Sequence, residues 1–346
     1  MTSRQTMSPP PTQTGTPEHP TALEVHDLRL SFKSRNGLMP VLHGVSLDIK
    51  PGEIVGLVGE SGSGKSVTAL QVARLLREDG VVVESGEITV QGTSTLAATR
   101  RQMNALRGAE IGFIFQEPMT ALSPTMTVGK QLGLAIRRHH GGRRRDVRAR
   151  AITALAEVRI KNPEAVVDQY PFELSGGMRQ RVVIALAMVG DPSLLIADEP
   201  TTALDVTAQD EILKLIRTLA ASHGTAVLFV SHDLAVVSEL CQRVSVLYGG
   251  HIVERGPTRQ ILDEPAHPYT KALLGALPSI HSGGRLLPVA GEPPDPRRAP
   301  AGCVFAPRCP QRFDACSTEP TIARIRPEHA VACWLRTGQE APTDDR

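Results

Sequence analysis

The chain has 346 residues, with 38 Lys and Arg against 36 Asp and Glu and a formal net charge of +2. That length suits one full-sized domain plus a smaller appendage, and so even a balance offers no electrostatic argument for nucleic acid as the main partner. No stretch approaches the roughly 18–20 consecutive apolar residues of a membrane span. The most apolar run, Val182–Val189, is followed at once by Gly190, Asp191 and Pro192.

Residues 1–21, with Pro9, Pro10, Pro11, Pro17 and Pro20 among Ser, Thr and Gln, cannot bury a core and lack an apolar signal region. They are expected to form a disordered tail on a cytoplasmic protein. Strand-like patterns follow over Leu23–Leu30 and Val41–Ile49, and a short β-rich run, Glu53–Val58, breaks into Gly59. The stretch Lys65–Leu76 suits a helix, with Val67, Leu70, Ala73 and Arg74 expected on the face toward the sheet.

The segment Gly59-Glu60-Ser61-Gly62-Ser63-Gly64-Lys65-Ser66 fits G-x-x-x-x-G-K-[ST] and lies between a predicted strand and a predicted helix. Its glycines let successive N–H groups point at phosphate oxygens, and the helix N-terminus adds a favourable dipole. Lys65 would neutralise the β- and γ-phosphates of a nucleotide, and Ser66 would ligate Mg²⁺.

Residues 117–189 are helix-rich and are expected to be a helical subdomain inserted into an α/β core. Within them, Arg137, Arg138, Arg143, Arg144, Arg145, Arg148 and Arg150 form a basic cluster, readable either as a solvated helix face or as contact with a partner or lipid headgroups. Further strands are predicted at Ile111–Phe115, Leu194–Ala197, Ala226–Val230 and Val244–Tyr248, and helices at Met178–Met188, Ala208–Ala221 and Leu234–Cys241. That alternation predicts parallel central strands within a mixed sheet.

The apolar strand ending in Asp198-Glu199 places Asp198 at the C-terminal sheet edge beside the phosphate loop, where it can hold Mg²⁺. Glu199, one residue on, can orient water and take its proton. Alone, such a pair is an ordinary solvated turn; together with the phosphate loop it reads as a hydrolytic site.

Leu174-Ser175-Gly176-Gly177-Met178-Arg179-Gln180-Arg181 resembles the signature segment of ATP-binding cassette (ABC) proteins. Physically it is a second anion site, a serine and free N–H groups at a helix start with no lysine of its own. The resemblance extends in order to Gln116 as the Q-loop glutamine, Thr202-Ala203-Leu204-Asp205 as the D-loop, Ser231-His232-Asp233 around the switch histidine, and Phe32 as the aromatic that stacks on adenine. It implies ATP and Mg²⁺ as cofactors, with Gln116 joining Ser66 and Asp198 at the metal. Two cassettes would sandwich two nucleotides, with Ser175, Gly176, Gly177 and Asp205 reaching the partner's site. Lys65, Glu199 and His232 would carry catalysis.

On this resemblance residues 22–262 are the cassette and 263–346 a separate extension, irregular because of its prolines. Of five cysteines, Cys241 reads as core, whereas Cys303, Cys309, Cys316 and Cys333 lie in the extension, spaced by five, six and sixteen residues. From chemistry alone iron–sulfur, zinc and unmetallated thiols stay open. The segments His267-Pro268-Tyr269-Thr270, Gly302-Cys303-Val304-Phe305 and Arg308-Cys309-Pro310 are similar to the extension of the oligopeptide and dipeptide importer ATPases. That resemblance implies a [4Fe–4S] cluster on the four cysteines ahead of zinc, and a position on the cytoplasmic face of the cell membrane. It also implies two transmembrane permease subunits, a second ABC ATPase (the same chain or a related one) and an extracytoplasmic solute-binding protein. The rival reading is a soluble ABC ATPase acting on nucleic acid or the ribosome, but residues 131–174 are too short for the long arm of the repair type.

Overall fold

The computed structural model describes residues 21–202, 204–276, 289, 291–295, 297 and 300–337. The expected tail, apart from Thr21, and Ala203 of the expected D-loop lie outside them, as do Pro278, Pro288 and Pro296 of the extension.

Strands β1 (Leu23–Ser34) and β2 (Gly37–Ile49) form an antiparallel hairpin that pairs Leu23 with Ile49 and Ser34 with Gly37. Strand β4 (Val81–Val90) adds to the far side of β1, and β5 (Thr93–Ser94) closes this small sheet, in the order β2-β1-β4-β5. Between them β3 (Ile54–Val58), buried at every residue, leads through the glycine loop into α1 (Lys65–Val72). An apolar run buried on both faces is the mark of a central parallel strand, and each such side chain contributes about 1.5–3 kcal/mol.

β3 lies in the middle of a second sheet, whose strands in order are β11 (Ala323–Arg326), β12 (His329–Val331), β10 (His251–Pro257), β9 (Arg243–Tyr248), β3, β8 (Ala226–Ser231), β7 (Leu194–Asp198) and β6 (Ile111–Ile114). Its parallel part comprises β6, β7, β8, β9 and β3. β10 returns antiparallel on β9.

Helix α2 (Arg100–Leu106) precedes β6. From 117 to 189 come only helices and turns: α3 (Pro118–Ala121), α4 (Val128–His140), α5 (Arg144–Glu157), α6 (Pro163–Val166) and α7 (Gly176–Met188). In the basic cluster, Arg148 makes a bidentate pair with Asp168 at 2.8 and 2.7 Å. Helices α8 (Val206–His223) and α9 (Leu234–Leu240) flank β8.

Three local expectations change. The helix after the phosphate loop stops at Val72, because Arg74 takes a left-handed conformation (φ 47°). Its buried residues are Lys65, Thr68, Ala69, Gln71 and Val72, with Ala73 buried just past its end, while the Arg74 guanidinium donates to the Thr95 and Ala98 carbonyls and to Glu78. Strand β4 and return strand β10 lack the clean period-2 pattern that would announce them, since β4 carries Glu84, Ser85, Gly86 and Glu87 in its middle.

The third concerns the extension, which packs as a continuation of the core. After α10 (Thr258–Asp263) and α11 (Pro268–Gly275), the hairpin β11 (Ala323–Arg326) and β12 (His329–Val331) joins the main sheet, pairing Val331 with Glu254 on β10. Helix α12 (Trp334–Thr337) closes the described chain.

Candidate functional site

The phosphate loop lies where β3 runs out of the sheet. Gly59 (φ 157°) passes so close to the end of β9 that a Cβ there would sit 2.1 Å from the Leu247 carbonyl oxygen. Gly64 (φ 106°) starts α1 with Leu42 of β2 2.8 Å from where its Cβ would be. Only glycine fits either place without moving backbone or core.

Lys65 is 4% exposed, and its Nζ donates to the carbonyls of Gly59 (2.8 Å) and Glu60 (2.9 Å) across its own loop. Burial lowers its pKa from the usual lysine value, against the opposing charges of Glu199, Asp198 and Glu60. Among the described residues the hydroxyl of Ser63 is buried with no hydrogen-bond partner. A cation folded back on its own loop beside an orphaned hydroxyl is a cradle that fits phosphate oxygens.

Asp198 ends β7 opposite this loop, and Ser66 Oγ donates to its Oδ1 at 3.0 Å. Burial raises the Asp198 pKa above the ordinary carboxylate value, with the Ser66 hydrogen bond and Lys65 opposing. A buried, incompletely compensated carboxylate next to a hydroxyl is a donor pair that fits Mg²⁺.

Glu199 follows in a left-handed conformation (φ 46°), held by its N–H donating to Val230 at 3.0 Å. Three groups converge on its Oε2: Thr202 Oγ1 donates at 2.9 Å, Gln116 Nε2 donates at 3.1 Å, and His232 Nδ1 lies at 3.1 Å. A strained, multiply held carboxylate beside a metal-binding pair suits proton transfer. Gln116 follows β6 and His232 follows β8, so three strand ends meet at one oxygen.

Ser175 caps α7, accepting from the Met178 N–H at 3.3 Å, and added Cβ atoms at Gly176 or Gly177 would meet open space. Among the described residues no hydrogen bond joins this segment to the chain's own phosphate loop.

Residues 42–202 match the profile of the ABC transporter family, and residues 253–316 that of the oligopeptide/dipeptide transporter C-terminal region. The probable D,D-dipeptide transport ATP-binding protein DdpD of Escherichia coli K12 is 48% identical over 314 residues, covering 90% of this chain and 96% of that protein. The chain belongs to the ABC transporter ATP-binding family. The dipeptide transport ATP-binding protein DppD of Bacillus subtilis is 43% identical, over 91% of this chain and 94% of its own. Among solved structures, a dimeric post-hydrolysis cassette, MJ0796, bound to ADP and Pi matches with a TM-score of 0.61 and 28% identity, covering 68% of this chain and 99% of that one.

The other ABC residues are placed as follows. Phe32 is half-buried on β1, between Met39 of β2 and Val81 of β4. Asp205 caps α8, accepting from the Ala208 N–H at 2.9 Å, so its carboxylate holds a helix start.

The [4Fe–4S] cluster expected on Cys303, Cys309, Cys316 and Cys333 finds no support among the described residues. The four extension cysteines lie within electrostatic reach of one another, and Cys303 N–H donates to the Cys316 carbonyl at 3.1 Å. Yet among the described residues no group of three or more His, Cys, Asp or Glu is arranged to hold a metal ion. Burial pushes the Cys303 thiol up to about 11 and raises Cys309 and Cys333 too. Cys303 and Cys316 are core side chains here, packed with Val304, Phe305 and Trp334, and Cys333 is buried with Ala266 and Val331. Cys241, just past α9, is buried beneath Gly56 of β3.

Sequence reasoning gave no role to two residues that touch the phosphate loop from the extension, Tyr269 and Arg308. Glu60 lies 209 and 248 positions away from them, so no local pattern links them.

Proposed function

We propose that this chain is the ATP-hydrolysing subunit of a membrane transporter that imports peptides or similar small solutes, acting from the cytoplasmic face. The observation that carries the reading is the convergence of Gln116, Thr202 and His232 on the Glu199 carboxylate, beside the Ser66–Asp198 pair and Lys65. Peptide as the cargo is supported by the match of residues 253–316 and by the names of relatives aligned over nine-tenths of the chain.

In this reading Lys65 leaves its loop carbonyls for the β- and γ-phosphates, and the N–H groups of residues 61–66 orient them. Ser66 and Asp198 hold Mg²⁺, which would neutralise charge building up on the phosphate oxygens. Glu199 accepts the proton of the attacking water, and His232 and Gln116 fix the oxygen that receives it. Phe32 stacks on the base.

The signature segment points into open space, which suits a phosphate supplied by a second cassette, the same chain or a related one. Beside Gln116, an apolar groove lined by Leu75, Phe113, Phe115, Ala121 and Leu186 stays open, with Phe115 38% exposed. Among the described residues no helix is long and apolar enough to cross a membrane. We assign the groove to a permease segment, whose movement would reach Glu199 through Gln116. Two permeases and an extracytoplasmic binding protein complete the assembly.

Tagged chain captured from gently solubilised membranes tests this. Near-stoichiometric multispanning partners, with ATP hydrolysis stimulated by a peptide-loaded binding protein, are expected. Recovery with ribosomes or nucleic acid in place of membrane partners would overturn the reading.

A further inference from the structure

The segments around Tyr269 and Arg308 meet the phosphate loop at one residue, Glu60, and engage all of its polar groups. Its N–H donates to the Tyr269 hydroxyl at 2.8 Å. Its carbonyl accepts from Lys65 Nζ at 2.9 Å. Its carboxylate takes a two-pronged contact from the Arg308 guanidinium, at 2.7 and 3.2 Å.

Both legs are anchored in the core. Tyr269 is fully buried, and its own N–H donates to His267 Nδ1 at 3.0 Å. The backbone N–H groups of Ala266 and His267 donate to the carboxylate of Glu254 on β10, at 2.7 and 2.9 Å. Glu254 is 0% exposed and also lies 2.8 Å from His329 Nε2 on the extension's hairpin. Arg308, with a side chain 5% exposed, donates to the Tyr248 hydroxyl at 3.2 Å and to the Val289 carbonyl at 3.0 Å. Tyr248, Tyr269 and Phe305 pack ring to ring with centroids 4.5–5.5 Å apart, fixing the two legs relative to each other.

A glycine-rich loop has little rigidity of its own. Grips on the N–H and the carboxylate of residue 60 orient its peptide planes, including the carbonyl on which Lys65 rests. A planar guanidinium matched to a carboxylate fixes direction as well as distance.

We propose that Arg308 and Tyr269 are positioning residues for nucleotide binding: the extension braces the phosphate loop at Glu60 and so sets where Lys65 and the loop N–H groups meet the phosphates. The proposal rests on the ATP-hydrolysis reading. Wild-type turnover tests that reading by itself, since a wild type without turnover would sink it whatever the variants do.

The experiment is steady-state ATP hydrolysis by the full-length chain in its assembled transporter. Arg308→Gln and Glu60→Gln are each expected to raise KM for ATP on the order of ten-fold, with kcat within about two-fold of wild type, as loss of one charge-assisted contact felt in binding would do. The double variant is expected to be no worse than either single one, because both remove the same contact. Arg308→Lys is expected to recover part of the KM, keeping charge but losing the fork. Tyr269→Phe, which removes one hydroxyl, is expected to raise KM about three-fold, and it decides the matter if Arg308→Gln does not fold. KM unchanged in the folded variants, or effects of Glu60→Gln and Arg308→Gln that multiply in the double variant, would overturn the proposal.

Discussion

His232 Nδ1 lies 3.1 Å from Glu199 Oε2, at the ends of neighbouring strands β8 and β7. The imidazole is 55% exposed on its side chain and the carboxylate 13%, so the histidine faces solvent and the glutamate is enclosed by its other partners. Glu199→Gln keeps shape and the contacts from Gln116 and Thr202 but removes the proton acceptor. It is expected to lower kcat for ATP hydrolysis by roughly 10²–10⁴-fold while ATP still binds. His232→Ala should lower kcat less, since Thr202 and Gln116 still hold the oxygen. Single-turnover hydrolysis with equilibrium ATP binding checks both, and near wild-type turnover in Glu199→Gln would remove it from the base role.

Gly59 gives a prediction about fold and site at once. A methyl group at this position meets the Leu247 carbonyl oxygen at 2.1 Å, and backbone cannot rotate away as a side chain can. Gly59→Ala is expected to cost about 1–3 kcal/mol of stability and to abolish measurable ATP binding, because β9 and the loop must part. Chemical unfolding and nucleotide titration of the same preparation separate the two effects. A variant of wild-type stability that binds ATP normally would contradict the packing argument.

What was legible in the sequence divides along physical lines. The strands at Ile54–Val58, Leu194–Asp198 and Ala226–Ser231 are continuous apolar runs ended by glycine, acid or serine, and such runs announce buried parallel strands and the chemistry at their ends. Lys65, Ser66, Asp198 and Glu199 could be picked out as candidates because each sits at a strand end or a glycine turn, whereas His232 could be picked out only through the resemblance that carries Ser231-His232-Asp233. Strand β4 was hidden by the polar residues that its exposed face tolerates. The early end of α1 was hidden because Arg74 leaves the helix for a tertiary reason, its guanidinium donating to the carbonyls of Thr95 and Ala98. The grip of Arg308 on Glu60 could not be seen, since an arginine and a glutamate 248 residues apart carry no periodic signal. The four extension cysteines left metal and free thiol open by number and spacing, while the burial of Cys303, Cys316 and Cys333 is a property of the folded chain alone.

His267 sets a pH limit on the brace. Burial holds its imidazole pKa down to about 3, against 6.5 for the free group, and its Nδ1 must stay unprotonated to accept the Tyr269 N–H. As pH falls below 6.5 the unfolded chain takes up this proton and the folded chain does not. Stability from the neutral histidine is therefore present above 6.5 and is lost toward pH 3, at about 1.4 kcal/mol per pH unit. His267→Asn keeps an acceptor at the start of α11 without titrating. Between pH 6.5 and 4.5, wild type should lose on the order of 2–3 kcal/mol more than this variant. Urea unfolding at a series of pH values measures the difference, and parallel curves would show that His267 does not titrate as described.

The signature segment permits a test in which stability and activity move in opposite directions. Gly176 and Gly177 occupy the first turn of α7, and an added Cβ at either meets nothing within 4 Å. Gly177→Ala is therefore expected to leave the fold as stable as wild type or about 0.5–1 kcal/mol more stable, since alanine loses less backbone freedom in a helix. The same methyl group would stand among the free N–H groups that a partner's phosphate is to meet, so ATP hydrolysis by the assembled transporter should fall by about ten-fold or more. Ser175→Ala removes the cap on the Met178 N–H and should cost about 1 kcal/mol along with activity. A Gly177→Ala transporter that is stabilised and hydrolyses ATP at the wild-type rate would leave α7 an ordinary capped helix, with no part in a site shared between two cassettes.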